Sequence, residues 1–170
     1  MNGSLFIRID DRLIHGQIVT AWAKVLNIKK IIALDDALAV SEMLAKIMLM
    51  GISDAYEPEI LTTSAVESFL SHHPRDENVL LVTRAAENLA LLKEQLSFAT
   101  AVNIGNCSRK EASCYVFKGI GVGQTLYFSE KDVEVLDDLS SKGIKTVFQQ
   151  MPTDKEVQWQ QIKEGLKRIE

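Results

Sequence analysis

The chain is organised around Leu5-Phe-Ile-Arg-Ile-Asp-Asp-Arg-Leu-Ile-His-Gly-Gln17. The first five residues of this stretch are mostly apolar and predict a buried strand. Polar residues follow at once at Asp10, Asp11 and Arg12. His15 then comes just before an apolar pattern with helical spacing. Because α/β proteins place their chemistry where a strand ends and a helix begins, the stretch predicts an α/β fold with a functional loop near its start.

Strands and helices alternate along the rest of the chain. Apolar runs of strand type lie at residues 30–34, 79–82 and 101–104, and segments with helical spacing separate them. Helical connections of this length favour parallel strands, and strands that are apolar throughout favour a sheet covered on both faces. We therefore expect a single domain over residues 1–170, a three-layer α/β fold whose open, mainly parallel sheet carries helices on both faces.

Three further segments carry structural expectations. A helix is predicted over residues 85–96, and a terminal helix is predicted after Pro152. The glycine-rich segment 119–123 lacks the spacing of a nucleotide-binding loop, so we interpret it as a hairpin turn or bulge between two strands. The helix that begins at Ser41 is rich in methionine. Its methionine face could be an interaction surface, but we interpret those side chains as core filler.

The composition excludes several classes of function. The chain has 170 residues, of which 46% are hydrophobic and 25% are charged, and its net charge is -4. Its charges are interspersed, so nucleic acid is not an expected partner. We expect neither a signal peptide nor a membrane span. Cys107 and Cys114 are expected to be free thiols, and the three histidines show no ligand spacing with them, so no metal is predicted.

The residue types of the first loop suit phosphoryl transfer. A neutral imidazole at His15 can attack phosphorus and then act as a leaving group. The planar guanidinium of Arg12 matches the oxygens of a phosphoryl group. A helix that opens near Gly16 offers free backbone N–H groups to an anion. Either Asp10 or Asp11 is placed to orient Arg12 or to fix the tautomer of His15.

Two other functions remain open at this point. A metal-dependent phosphohydrolase can use Asp10 or Asp11, although such enzymes usually place the two carboxylates two residues apart. A noncatalytic protein that binds phosphate or a sugar phosphate is the second alternative, because a fold does not fix a function. The residues alone do not separate these two from a phosphoryl carrier.

Residues 8–17 resemble the signature of the IIB subunits of the bacterial phosphotransferase system, in the mannose–fructose–sorbose group. The resemblance continues in order at residues 31–36, 102–106 and 143–150, and at Pro152. It covers nearly the whole chain. The resemblance implies an open, mainly parallel sheet flanked by helices, with one late strand antiparallel.

The resemblance also implies a function. His15 would accept a phosphoryl group on Nδ1 from a phosphohistidine of the partner IIA domain. The group would then pass to a sugar that enters through the membrane subunits IIC and IID, with the help of Arg12. Backbone N–H groups from Ile14 through Gly16 to Gln17 would hold the phosphate, while the two aspartates before Arg12 would set the geometry of the loop.

The same family implies a location and a set of partners. The chain would be cytoplasmic and would associate with the inner face of the cell membrane through IIC and IID. No cofactor is expected. Exposed apolar residues on the methionine-rich helix are the candidate contact for a homodimer.

Two loops depart from the family pattern. Asp35 and Asp36 stand where family members often have Asn-Asp, and Cys107 and Ser108 follow Asn106 where other residues are frequent. The roles of Asp35, Asp36 and Cys107 do not follow from the sequence. The identity of the sugar does not follow either, because the membrane partners are expected to select it.

Overall fold

The computed structural model describes residues 2–119 and 124–170, and this part of the chain contains ten strands in two sheets. The strands are β1 Leu5–Ile9, β2 Lys30–Leu34, β3 Glu59–Leu61, β4 Val79–Thr83, β5 Ala99–Ile104, β6 Tyr115–Lys118, β7 Thr125–Phe128, β8 Lys145–Phe148, β9 Val157–Gln158 and β10 Lys167–Arg168.

Six α-helices lie in the described residues, together with short 3₁₀ segments. Across residues 2–119 and 124–170, no helix has both the length and the apolar composition to cross a bilayer. The helices are α1 Gly16–Val25, α2 Asp36–Ala39, α3 Glu42–Leu49, α4 Thr63–His72, α5 Glu130–Ser141 and α6 Trp159–Glu164.

The larger sheet has seven strands in the order β3-β2-β4-β1-β5-β8-β9. Its strands are parallel except β9, which runs antiparallel to β8. This confirms the predicted fold class, including the late antiparallel strand. Because β1 lies between β4 and β5, the loop that follows β1 emerges near the middle of the sheet.

The two faces of this sheet are covered by two separate apolar clusters. On β4, the side chains of Leu80 and Val82 pack in one cluster with Val19 of α1. The alternate residue Leu81 points to the other face, where it belongs to a cluster with Leu136 of α5. Alternation along a strand thus builds a core on each face, as a three-layer fold requires.

The smaller sheet is antiparallel, has the order β10-β6-β7, and was not predicted as a separate unit. β6 and β7 pair as a hairpin, and the N–H of Gly119 donates to the carbonyl of Gln124 at 2.8 Å. The hairpin predicted around residues 119–123 is confirmed for its flanking strands, while residues 120–123 lie outside the described part of the chain. β10 adds to β6 because α6 ends at Glu164 and the chain then extends.

Two helix predictions need correction. Residues 85–96 form no α-helix; the segments Ala86–Leu92 and Gln95–Phe98 are 3₁₀ helices. The buried residues Ala86, Leu89 and Leu92 are spaced by three, and a 3₁₀ helix places residues with that spacing on one face. The terminal helix begins later than expected, because the chain first pairs with β8 as β9.

The methionine-rich helix α3 is exposed where we expected core filler. Met43 and Met50 are 71% and 81% exposed, whereas Met48 packs partly against the core. The exposed apolar side chains recur at helical spacing along one face of the helix and its flanks. We call this surface the α3 stripe; it consists of Val40, Met43, Leu44, Ile47 and Met50.

Candidate functional site

The carboxyl ends of β1, β4 and β5 bring their polar loops together, as the sequence predicted. The N–H of Asp10 donates to the carbonyl of Thr83 at 2.9 Å. The N–H of the next residue, Asp11, donates to the carbonyl of Asn106 at 2.9 Å. The loop after β1 is therefore fixed on both sides by the loops of its neighbouring strands.

A tight turn connects the end of β1 to His15. The N–H of Leu13 returns to the carbonyl of Asp10 at 2.9 Å, and Leu13 has a φ of 56°, a left-handed conformation that is costly for this residue type. Leu13 and Ile14 are buried in the core on the α1 face. Their burial stabilises the turn, and it leaves the next residue, His15, at the surface.

His15 is the N-cap residue of α1, and its side chain is exposed. Its carbonyl accepts the N–H of Val19 at 2.9 Å, while its imidazole makes no capping bond. The ring is therefore available to a partner. Gly16 opens the helix and Gln17 is exposed beside it, so first-turn N–H groups and the positive end of the helix dipole lie next to the ring.

Gly16 also allows close packing of the chain. A Cβ at this position would lie 3.2 Å from the carbonyl oxygen of Gly51, which follows α3. The start of α1 is thus in contact with the end of α3. The segment that follows the α3 stripe therefore packs against the residue next to His15.

Asp10 orients Arg12 through three hydrogen bonds. Its Oδ1 accepts from the Arg12 backbone N–H and from Nε, both at 3.1 Å. Its Oδ2 accepts from Arg12 Nη2 at 3.0 Å. The bidentate contact fixes the plane of the guanidinium, which is still about one third exposed at 35%.

The Asp11 carboxylate binds the loop that follows β5. Its carboxylate accepts from the side chains of Asn106 and Ser108, and from the Ser108 N–H at 2.7 Å. Its carbonyl accepts from Arg84 Nη1 at 2.7 Å, and Arg84 Nε donates to Asp35 at 3.0 Å. Asp35 thereby joins the loop after β2 to this site.

Arg8 is part of the site, although it was not predicted as a site residue from the sequence. It is the fourth residue of the five-residue strand β1 and is 1% exposed. Its Nη2 donates to Asp10 Oδ2 at 3.2 Å. A charged residue inside an otherwise apolar strand was the available signal, because such a residue is rarely buried without a partner.

The two arginines set the ionisation of Asp10. Burial by itself would raise the pKa of Asp10, but hydrogen bonds from Arg12 and the charges of Arg8 and Arg12 outweigh it, so its pKa is lowered. The hydrogen bond to Asp10 raises the pKa of Arg12. Burial lowers the pKa of Arg8, against the opposing effect of Asp10. All three groups are charged at neutral pH, because the lowered pKa keeps the Asp10 carboxylate ionised and arginine is not deprotonated in proteins.

The phosphohydrolase alternative finds little support in this geometry. Both oxygens of Asp10 already accept from arginines, and both oxygens of Asp11 accept from the loop after β5. Both carboxylates are thus engaged in holding the loop. In the described residues, no three side chains among His, Cys, Asp and Glu are grouped as metal ligands.

Cys107 lies beside the loop but is not a reactive group. It is buried, and burial raises the pKa of its thiol well above the ordinary value. Its backbone carbonyl accepts the N–H of Tyr127 at 2.9 Å, which joins the loop after β5 to the smaller sheet. Cys107 and Cys114 are both free thiols, as predicted.

The sequence of the chain matches a family model over residues 4–169, and the model describes the IIB component of the sorbose subfamily of the phosphotransferase system, or PTS. The chain belongs to this family. It is therefore a IIB component of a sugar PTS, and IIB components are phosphotransferases. The family confirms the resemblance carried by residues 8–17.

Individual relatives agree with this assignment. The IIB chain is 30% identical to the fructose-specific EIIB component of Bacillus subtilis, over 95% of the chain and 96% of that protein. It is 28% identical to the mannose-specific EIIAB component of Escherichia coli, over 86% of the chain and 44% of that protein. The IIBSor domain of the sorbose permease from Klebsiella pneumoniae has the same fold, with a TM-score of 0.78 at 22% identity over 95% and 97% of the two chains.

Proposed function

We propose that this IIB component carries a phosphoryl group on His15, which it accepts from a IIA domain and delivers to a sugar. The observation that supports this most is the exposed imidazole of His15 at the start of α1, with Arg12 fixed three residues before it. Phosphoryl transfer depends mainly on positioning and on charge stabilisation, and this loop supplies both.

In the first step, a neutral nitrogen of His15, Nδ1 in our proposal, attacks the phosphoryl group on a histidine of IIA. The new N–P bond forms as the donor N–P bond breaks, and the electron pair of the broken bond stays on the donor imidazole. The N–H groups of Gly16 and Gln17 face the incoming oxygens, since neither has an acceptor within its own helix. Asp10 and Asp11 hold the loop rather than the phosphate.

In the second step, a hydroxyl oxygen of the sugar attacks the phosphorus of phospho-His15. The O–P bond forms as the N–P bond breaks. The proton of the sugar hydroxyl ends on the imidazole, in place of the phosphoryl group. Arg12 offsets the charge that spreads over the three moving oxygens. We place the sugar in the membrane subunits IIC and IID, so the IIB chain works at the inner face of the membrane.

The phosphoryl donor is a IIA domain. The E. coli relative is named as an EIIAB component, and the IIB chain matches less than half of its length. We infer that IIA contacts the α3 stripe, because the stripe is apolar and exposed and the segment that follows α3 packs against Gly16, the residue next to His15. A noncatalytic sugar-phosphate-binding protein remains the alternative, and it requires no covalent phosphate.

The test is transfer of ³²P from phosphorylated IIA. We expect acid-labile label on wild-type chain and none on His15→Ala. The control is His72→Ala, because His72 is exposed on α4 and is not part of the site. Label that persists in His15→Ala would overturn the proposal, and binding of a sugar phosphate without label would favour the noncatalytic alternative.

A second variant separates the two steps. Arg12→Ala is expected to accept the label from excess phosphorylated IIA but to deliver it slowly to sugar in vesicles that carry IIC and IID. Fructose, mannose and sorbose are the sugars to offer. If Arg12→Ala blocks acceptance as strongly as delivery, the role assigned to Arg12 is wrong.

A further inference from the structure

Arg8 is a buried cation at the centre of the larger sheet. Besides Asp10, it donates to the side chain of Asn103 and to two backbone carbonyls, those of Gln149 and Gln150, at 3.1 and 3.2 Å. These partners come from β5 and from the segment after β8. The guanidinium is therefore fixed by acceptors from three separate parts of the chain.

Packing also prevents Arg8 from moving. A Cβ on Gly105 would lie 2.7 Å from Arg8 Cζ and 2.9 Å from Asp10 Oδ2, so the bare backbone of this glycine lies against the ion pair. The ring of Trp22 lies on the α1 side, with its centroid 5.5 Å from Arg8 Cζ. Trp22 donates to the carbonyl of Gln150, which also accepts from Arg8.

Asp10 is thus shared by two arginines of unequal freedom. Its Oδ2 accepts from Arg8, which is 1% exposed, and from Arg12, which is 35% exposed. Arg12 is the more exposed of the two and lies in the same loop as His15. The Arg8 guanidinium is enclosed, whereas the exposed Arg12 guanidinium can exchange its bonds to Asp10 for bonds to another anion.

Phosphorylation of His15 would place close to two negative charges near Arg12. If Arg12 were the only partner of Asp10, its departure to the phosphoryl group would leave a buried carboxylate unpaired, which is strongly unfavourable. With Arg8 in place, the Arg8–Asp10 pair that remains has no net charge. Arg8 therefore reduces the cost of moving Arg12.

We propose that Arg8 is a positioning residue that keeps the charge of Asp10 balanced while Arg12 moves from Asp10 to the phosphoryl group on His15. This inference rests on the proposed function and adds a second state of Arg12 to it. A merely structural Arg8 would hold β1 to β5 through Asn103 and would have no effect that depends on the charge of Asp10.

The direct test observes the arginines in the wild-type chain. ¹⁵N NMR resolves arginine Nε–H groups, and in the unphosphorylated protein the Nε–H of Arg12 donates to Asp10. After phosphorylation by IIA, we expect the Arg12 Nε–H resonance to shift and that of Arg8 to stay. If His15 is labelled and the Arg12 resonance does not move, this inference is overturned. If His15 is not labelled, the proposed function itself fails.

A double-mutant cycle tests the role of Arg8. The quantity measured is the equilibrium distribution of phosphoryl groups between IIA and the IIB chain. Arg8→Met is expected to shift this equilibrium toward IIA by about tenfold, the equivalent of one charged hydrogen bond. In an Asp10→Asn background the same substitution is expected to change it by less than about twofold, because no buried carboxylate then needs a partner.

Equal effects of Arg8→Met in both backgrounds would overturn the inference and make the role structural. Arg168→Met is the matched control, since Arg168 is an exposed arginine whose acidic partner is Glu130. If Arg8→Met does not fold alone, the NMR experiment on the wild-type chain still tests the movement of Arg12, and a resonance that does not move overturns the inference.

Discussion

Asp10 is the residue whose charge links the buried and exposed parts of the site. Its carboxylate is nearly inaccessible and accepts from both arginines. Neutralising Asp10 leaves Arg8 as a buried cation without a carboxylate partner. The stability of the fold and the orientation of Arg12 therefore depend on the same group.

Asp10→Asn is expected to lower the free energy of unfolding by about 3–5 kcal/mol at pH 7, as for other broken buried ion pairs. The folded-state pKa of Asp10 lies below its ordinary value of 3.8, so its contribution is present above that pH and is lost as the pH falls through the folded pKa. The measurement is urea unfolding at pH 7 and at about pH 3. The difference from wild type should shrink at the lower pH.

Asp76→Asn provides the control for this series, because Asp76 is exposed in a loop. A loss of stability in Asp10→Asn that does not change between the two pH values would contradict the assigned ionisation.

The residues of the site could be predicted only in part. Asp10, Arg12 and His15 lie within one short stretch, and the order of strand, loop and helix places them together. The role of Arg8 depends on Asn103 and Gln149, which are distant in sequence, and no local pattern links them. The sequence also left open which of the two aspartates holds Arg12, because the answer depends on the turn at Leu13.

At the scale of elements, the start of α5 is a junction between helices. Ser129 and Asp132 form a capping box, and Asp132 also accepts the N–H of Glu87 at 2.8 Å. The Ser129 hydroxyl donates to the Glu87 carboxylate at 2.9 Å. The cap therefore fixes the 3₁₀ segment Ala86–Leu92 against α5.

Ser129→Ala is expected to lower the free energy of unfolding by about 1–2 kcal/mol, at the upper end for N-caps, because the hydroxyl is buried and has two partners. Ser41→Ala is the comparison. Ser41 caps the exposed helix α3 through a longer bond of 3.4 Å, and we expect about 0.5 kcal/mol. Chemical denaturation measures both, and equal losses would contradict the structural role of the α5 cap.

The elements of the larger sheet were predictable where apolar runs and caps are strong, as at β4 and α5. The short strands β9 of the larger sheet and β10 of the smaller sheet could not be located from their own residues, because each has two residues and forms only through its pairing partner. The segment after Ala85 was misassigned because a leucine-rich pattern suits a 3₁₀ helix as well as an α-helix. Contacts with distant parts of the chain determine the conformation of these segments.

At the scale of the whole molecule, the α3 stripe is the surface to test for assembly. Ile47 is 55% exposed, so Ile47→Glu should leave the fold intact. We expect the KM for phosphorylated IIA to rise by about tenfold with kcat nearly unchanged, because a charge would be buried in an apolar contact. Initial rates of labelling measure both constants.

Leu91→Glu is the control for this prediction, since Leu91 is 81% exposed outside the stripe. Sedimentation of the wild-type chain tests the homodimer expected from the sequence. A wild-type dimer that Ile47→Glu converts to monomer without a change in KM would assign the stripe to a second copy and contradict the contact with IIA.

The central position of β1 has a consequence for biosynthesis. β1 is made first, yet its partners β4 and β5 end at Thr83 and Ile104. At typical translation rates, the first partner is complete about 4–15 s after β1. Until then, the ribosome holds a nascent chain whose His15 has been synthesised but has no sheet to support it. A prematurely released fragment that ends before β4 would therefore contain His15 without its scaffold.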